Sequence, residues 1–231
     1  LINLSLDAKG SLLFSNVIYK SAESEQEYNI TNAQLNFTPK KIDLNNFTAK
    51  IDESDLKING TLNNLIAYTL SDGKLTGNLN LSSNYFDLNQ FISESQQSEN
   101  KKTAEETETV AFDVPSNISF SIQSDFKKLI YDNLELTNVK GKIIAKDGKI
   151  DLNDLRMNLL QGTLSGSGSY AKKQYEEKPK IEFNLDLKDL NVKQTYDKFI
   201  SVKQFAPIAK YIQGNFSSQL KMNTMLDGSM T

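Results

Sequence analysis

A chain of 231 residues, 38% hydrophobic and 24% charged, has the makeup of a globular protein and the length for one large all-β domain or two smaller units. A formal net charge of -3 supplies no basic field, so nucleic acid is not expected as a partner. The absence of any cysteine or histidine removes disulfides, thiolate and imidazole metal sites, and histidine acid–base chemistry together, so neither a metal nor a cofactor is expected.

The sequence opens on Leu1 rather than a methionine and stops at Thr231 inside a polar stretch, so it reads as a soluble piece of a longer protein. No run approaches the roughly 18 apolar residues of a membrane span, so any anchor is expected outside it. Period-two alternation dominates. Ile2, Leu4 and Leu6 alternate with polar residues, and so do Leu79 and Leu81. Ile118, Phe120 and Ile122 repeat the pattern, as do Ile181, Phe183, Leu185 and Leu187. Each run predicts a half-buried strand with one oily and one wet face. Asp72-Gly73 and Asp147-Gly148 are turn signals, the second placed as a tight hairpin needs. Short connections favour an antiparallel meander over a parallel α/β fold, which would require helical crossovers and strands apolar on both faces.

Residues 93–109, SESQQSENKKTAEETET, form an almost wholly polar stretch, read as a flexible linker or loop. It separates residues 1–92 from residues 110–231, and the two parts resemble each other in order. Ile30-Thr31-Asn32-Ala33 matches Leu136-Thr137-Asn138-Val139, and the run from Ile42 to Phe47 matches that from Ile150 to Leu155. Gly60-Thr61-Leu62 matches Gly162-Thr163-Leu164, Leu79 matches Phe183, and the opening strand at Ile2 matches that at Ile118. A collinear series of this kind predicts a duplicated strand unit. The expected fold is therefore mainly β, a curved, antiparallel, amphipathic sheet or groove built from two repeats, with one helix-turn-helix segment near the C-terminus.

That segment spans about 191–213: Val192, Tyr196, Phe199 and Ile200 stand at helical spacing, Asn191 is a cap and Gly214 a stop. Pro207 should kink it or start a second helix, and the whole should lid one end of the sheet. Residues 86–93 could make a brief turn.

Catalytic and ligand motifs read better as structure. Asp147, Asp151 and Asp154 are spaced loosely like a calcium loop, but Gly148 is misplaced and no Glu closes the site. Gly162, Gly166 and Gly168 lack the Lys-Ser/Thr ending of a phosphate loop and fit a bulged or closely packed strand. The many carboxylates fall on polar strand faces or turns. No nucleophile–base constellation stands out, so the chain is not expected to be an enzyme. The oily face either packs on a second sheet as a self-filled sandwich, or stays open as a groove that must be filled.

Val114-Pro115-Ser116-Asn117-Ile118-Ser119-Phe120, followed by Leu136-Thr137-Asn138-Val139-Lys140-Gly141, resembles the AsmA-like family of bacterial envelope proteins. The glycine-punctuated stretch from Leu155 to Tyr170 resembles that family too. So do Phe205-Ala206-Pro207-Ile208-Ala209 and Gly214-Asn215-Phe216-Ser217, and the likeness runs from about Val114 to Met230. The resemblance implies a periplasmic protein of a Gram-negative envelope, tethered by an inner-membrane helix that lies outside this sequence. It implies a β-groove conducting phospholipid or another envelope lipid in outer-membrane assembly, with envelope proteins as further partners. The expected lipid-contacting residues are Ile2, Leu4, Leu6, Leu79, Leu81, Ile118, Phe120, Ile122, Ile181, Phe183, Leu185 and Leu187. The alternative is a structural or protein-interaction scaffold with a self-filled core.

Overall fold

A computed structural model describes residues 8–20, 27–90, 113–172 and 178–225. They form one curved, unclosed sheet of 12 strands. The first unit holds β1 (Gly10–Lys20), β2 (Glu27–Phe37), β3 (Lys41–Ile51), β4 (Ser54–Asn63), β5 (Leu75–Ser83) and the two-residue β6 (Phe86–Asp87). The second holds β7 (Ile118–Tyr131), β8 (Leu134–Lys146), β9 (Lys149–Leu159), β10 (Gly162–Ala171), β11 (Lys180–Asn191) and β12 (Asn215–Met225). Neighbours in the sheet follow chain order from β1 to β12, with β6 off that path, and all pairs are antiparallel except where β5 and β6 run parallel to β7. The described strands make a single layer, so the face-to-face sandwich that the alternation also allows is not the arrangement.

What keeps one face apolar is a set of bulges. In β3 the apolar residues Ile42 and Leu44 are followed by Asn45-Asn46 before Phe47, Ala49 and Ile51 resume the alternation. The pairing steps from Leu44↔Gly60 to Phe47↔Ile58, so two residues oppose one and the apolar set stays on the same side. β9 does the same, with Asn153-Asp154 between Leu152 and Leu155, and β11 with Lys188-Asp189 between Leu187 and Leu190. The second residue of each bulge is left-handed: Asn46 (φ 55°), Asp154 (φ 52°) and Asp189 (φ 55°). Asn and Asp are the side-chain-bearing residues that tolerate that region best. The Asn46 amide donates to Asn59 Oδ1 at 2.8 Å and the Asp189 amide to Ser217 Oγ at 3.0 Å, so the freed donors are not orphaned.

The same registers recur in the two units. Asn32↔Thr48, Gln34↔Asn45 and Leu44↔Gly60 recur as Lys140↔Arg156, Lys142↔Asn153 and Leu152↔Gly168, each partner displaced by 108 residues (140 − 32, 156 − 48). The match of Ile42 with Ile150 is therefore in register. So is that of Leu79 with Phe183, since Leu79 pairs with Gly60 and Phe183 with Gly168, but two other matches need correction. The counterpart of Gly60 is Gly168, not Gly162, and the Ile30 match to Leu136 is two residues out. The place of β7 is taken in the first unit by β1, where Leu12↔Leu35 mirrors Ile122↔Ile143; Ile2, Leu4 and Leu6 lie outside the described residues, as does the whole 93–109 stretch.

Asp147-Gly148 is the expected hairpin, a two-residue loop with both φ positive (52° and 79°) between Lys146 and Lys149. Asp72-Gly73 instead ends a helix, α1 (Leu65–Ser71), where the Gly73 amide donates to the Ala67 carbonyl at 2.9 Å. Near 86–90 the expected turn is partly replaced by β6.

Between β11 and β12 come α2 (Val192–Lys198), α3 (Ile200–Phe205) and a 3₁₀ turn (Pro207–Tyr211). The Asn191 side chain caps α2 by accepting from the Gln194 amide at 2.9 Å, and Pro207 opens the 3₁₀ turn. A break at Phe199, which is extended (φ −107°, ψ 119°), separates α2 from α3 ahead of the proline. The Asn191 amide donates to the Leu160 carbonyl and Lys198 Nζ to the Asn133 carbonyl (2.6 Å), which fixes the crossover over the β7–β8 and β9–β10 turns. No described helix is long and apolar enough to cross a membrane.

The bend that sends the chain from β5 into β6 hangs on Asp55, whose carboxylate accepts from the Tyr85 amide (2.8 Å), the Asn84 amide (2.9 Å) and the Ser83 hydroxyl (3.3 Å). Burial alone would raise this carboxyl, but those hydrogen bonds outweigh it and hold it below its ordinary value of 3.8. A depressed folded-state value stabilises the fold above the unfolded value and ceases to do so as pH falls through the folded one. The stability gap between the wild-type chain and Asp55→Asn should thus be full above pH 3.8 and shrink below it, as read from urea midpoints across pH 7 to 2.

Candidate functional site

Directly paired residues of adjacent strands point to the same side of a sheet. Following the pairs therefore shows which of the expected contact residues share a face. Leu79 pairs with Ile122, Leu81 with Ser124, Gly77 with Phe120 and Leu75 with Ile118 across the parallel β5–β7 seam. Ile122 continues to Ile143 and Leu152, Leu152 to Gly168, and Gly168 to Phe183. Ile181 pairs with Tyr170, Leu185 with Gly166 and Leu187 with Leu164. All nine expected residues within the described chain accordingly fall on one face. Ile2, Leu4 and Leu6 cannot be placed on it.

Sequence alternation singled out only part of this surface. The pairing adds Leu35, Ile42, Leu44 and Phe47 from β2 and β3, Leu56, Ile58 and Leu62 from β4, and Ile150, Leu152 and Leu155 from β9. The adjacent polar residues Asn45-Asn46 and Asn153-Asp154 inside otherwise alternating runs were the signal for β3 and β9. With about 4.8 Å between neighbouring strands, the 11 strands of the path carry the face on the order of 50 Å along its contour.

None of the nine residues is buried, and none is fully exposed. Their shielding comes from one another, because the helices lie at strand ends, α1 on β5 and α2 on β11, and none of the described ones covers the face. Among the described residues a closed core forms only locally, around Leu136, Val139, Leu159 and Leu190, with Phe126, Met157, Leu187 and Phe216 packed against it. Leu187 therefore serves packing, whereas the other eight lie outside that cluster. At the same end a recess of about 570 Å³ opens between α2 and the strands, lined by Ile130, Leu134, Leu160, Gln194, Asp197 and Lys198.

Three phenylalanines of the face lie over a glycine in the paired strand. A Cβ built on Gly77 would meet the Phe120 ring at 2.7 Å, one on Gly168 the Phe183 ring at 2.6 Å, and one on Gly10 the Phe37 ring at 3.0 Å. Rings placed over a glycine cover bare backbone.

The opposite face is polar and charge-paired: Lys149–Asp151 (2.6 Å), Lys180–Glu182 (2.7 Å) and Lys140–Asp125 (3.1 Å). Such exposed pairs are screened by solvent and add little to stability. The Lys180 ammonium holds Glu182 below the ordinary carboxylate range, which keeps it ionised rather than poised for proton transfer. Asp147 pairs with Lys74 at 2.7 Å and Asp154 occupies the β9 bulge, so both act structurally. Among the described residues no group of three or more carboxylates converges on a metal-sized site.

No protein-family model, curated protein or solved structure matches this chain.

Two glycines separate backbone strain from ring packing. At Gly60 (φ 145°) a Cβ would meet the Asn78 carbonyl oxygen at 2.1 Å, against backbone that cannot yield, while at Gly168 it meets mainly a rotatable ring. Gly60→Ala should lose about 2–4 kcal/mol and Gly168→Ala less than about 1.5 kcal/mol in urea unfolding.

Proposed function

We propose that this chain is a non-catalytic, lipid-sheltering groove of the AsmA-like kind, working in the periplasm of a Gram-negative envelope and tethered to the inner membrane by a segment outside this sequence. The observation that carries the reading is the single apolar face crossing the parallel seam without interruption and lying uncovered by any described element. A contiguous oily surface of this length exceeds the patch a monomeric soluble protein leaves in water, and calls for an apolar occupant. Acyl chains suit it because the surface supplies only nonspecific contact: Leu79, Leu81, Ile118, Phe120, Ile122, Ile181, Phe183 and Leu185 offer no polar group to orient a smaller, more specific ligand. The polar outer face, solvated and charge-paired, keeps such a sheet dissolved while its inner face holds lipid. Phospholipid or another envelope lipid is the ligand in this reading, and outer-membrane assembly and envelope maintenance the process served.

Protein purified without detergent should carry lipid detectable by native mass spectrometry. Phe120→Asp and Phe183→Asp, singly and together, should strip that lipid while leaving the strand signal in circular dichroism, since neither residue belongs to the buried cluster. A folded wild-type chain that is free of lipid and takes up none when offered would refute the reading.

A further inference from the structure

The crossover between β11 and β12 presents a cluster of exposed apolar side chains on short helical turns. Phe205 is 87% exposed, Tyr211 77%, Ile200 71% and Ile208 68%, all within α3 and the 3₁₀ turn. Full burial of each would be worth about 1.5–3 kcal/mol, so four such side chains held outward represent a large uncompensated cost in water. By contrast α1, at the opposite ends of the strands, exposes Leu70 and Ile66 with no comparable cluster, which is ordinary for a surface helix.

Charge distinguishes the crossover as well. Residues 192–214 contain Lys193, Lys198, Lys203 and Lys210 against the single carboxylate Asp197, in a chain whose overall charge is -3. Lys193 is taken by Asp197 at 3.2 Å and Lys198 by the Asn133 carbonyl. Lys203 and Lys210 have no carboxylate partner among the described residues, and the Lys210 ammonium sits 4.6 Å from the centre of the Tyr211 ring.

We propose that this crossover is a membrane-docking element that seats on an anionic bilayer surface. Exposed Phe, Ile and Tyr interleaved with lysines on short helical turns are the composition of a segment lying in the headgroup layer: the apolar groups enter the acyl boundary and the ammonium groups reach back to lipid phosphates. A protein groove would accept the apolar groups, but gives no reason for the local reversal of charge, whereas an anionic surface accounts for both. The element is anchored to the β7–β8 and β9–β10 turns and borders the recess lined by Ile130, Leu134 and Leu160, so docking would bring the bilayer to that end of the sheet.

The chain has no tryptophan, so Phe205→Trp places a single indole at the most exposed position. With vesicles of phosphatidylglycerol and phosphatidylethanolamine the chain should float in a density gradient, and the indole emission should shift to the blue. Phe205→Glu combined with Ile208→Glu should reduce flotation roughly tenfold or more, as should Lys203→Glu combined with Lys210→Glu. Raising salt to about 0.5 M or using phosphatidylcholine alone should weaken binding of the wild type. Failure to float, flotation untouched by either double variant, or an unshifted indole would each overturn the proposal. The groove reading is scored separately: Phe120→Asp and Phe183→Asp should float normally while losing copurified lipid, and the crossover variants should do the reverse.

Discussion

A sheet that stands as one layer has a single side on which to put its apolar residues, and every strand must agree on which side that is. The architecture of this protein depends on that agreement. A one-residue slip would turn a whole strand inside out, because side chains alternate with a period of two. The two-residue polar steps Asn45-Asn46, Asn153-Asp154 and Lys188-Asp189 are where the chain spends an extra residue without losing phase. Each also increases the local twist of its strand, so the devices that preserve the face also help curve it. Replacing a left-handed Asn or Asp there with a β-branched residue would impose strain at the point on which the phase of the strand turns.

The parallel seam is the second structural decision. An antiparallel meander needs only short loops, but the duplicated unit must rejoin the sheet at β7 running the same way as β5, so the chain has to travel back along the strand length. Before that return β6 and Leu88 carry the chain onward beside β7 in the direction of β5: the Leu88 amide donates to the Ile130 carbonyl and the Asp55 amide to the Tyr85 carbonyl. At the seam itself Gly77 receives the Phe120 ring and Leu79 meets Ile122, so the two copies join apolar face to apolar face. Duplication thus lengthens one surface instead of producing two domains.

The strands at Leu79, Ile118 and Ile181 were legible in sequence because each alternates cleanly and lies inside the sheet, where one face is wet. β1 was not. Leu12, Leu13 and Phe14, then Val17, Ile18 and Tyr19, place apolar residues on consecutive positions, and no period emerges from an edge strand with Leu13, Ile18 and Tyr19 exposed. α1 escaped because Leu65-Ile66-Ala67-Tyr68 has neither period, and its start at Asn64 lacks a side-chain cap. The repeat was visible, and in phase at Ile42 and at Leu79, but not at the glycine: Gly60 and Gly162 share a Gly-Thr-Leu context, while the strand ladder equates Gly60 with Gly168 through the glycine's cross-strand partners. Helix caps at Asn191 and Pro207 were readable as local chemistry, whereas the break at Phe199 has no residue signature, since nothing in that side chain forbids helix.

Stability in such a molecule has an unusual source. Among the described residues the buried apolar set is confined to nine, including the small side chains Ala33, Ala49 and Ala209, and Ser54 is the largest side chain to be fully enclosed. The hydrogen-bond ladder and same-face neighbours must therefore hold most of the sheet together, with the cluster around Leu136 and Leu190 as a compact support. A half-buried Leu or Phe leaves part of its ~1.5–3 kcal/mol of burial unrealised. Over a face crossing 11 strands the unrealised part becomes a large reservoir, available to whatever apolar material lies on it. An occupant that binds the folded sheet and not the unfolded chain stabilises the fold by linkage. For such an occupant, binding and completing the core would be the same physical event.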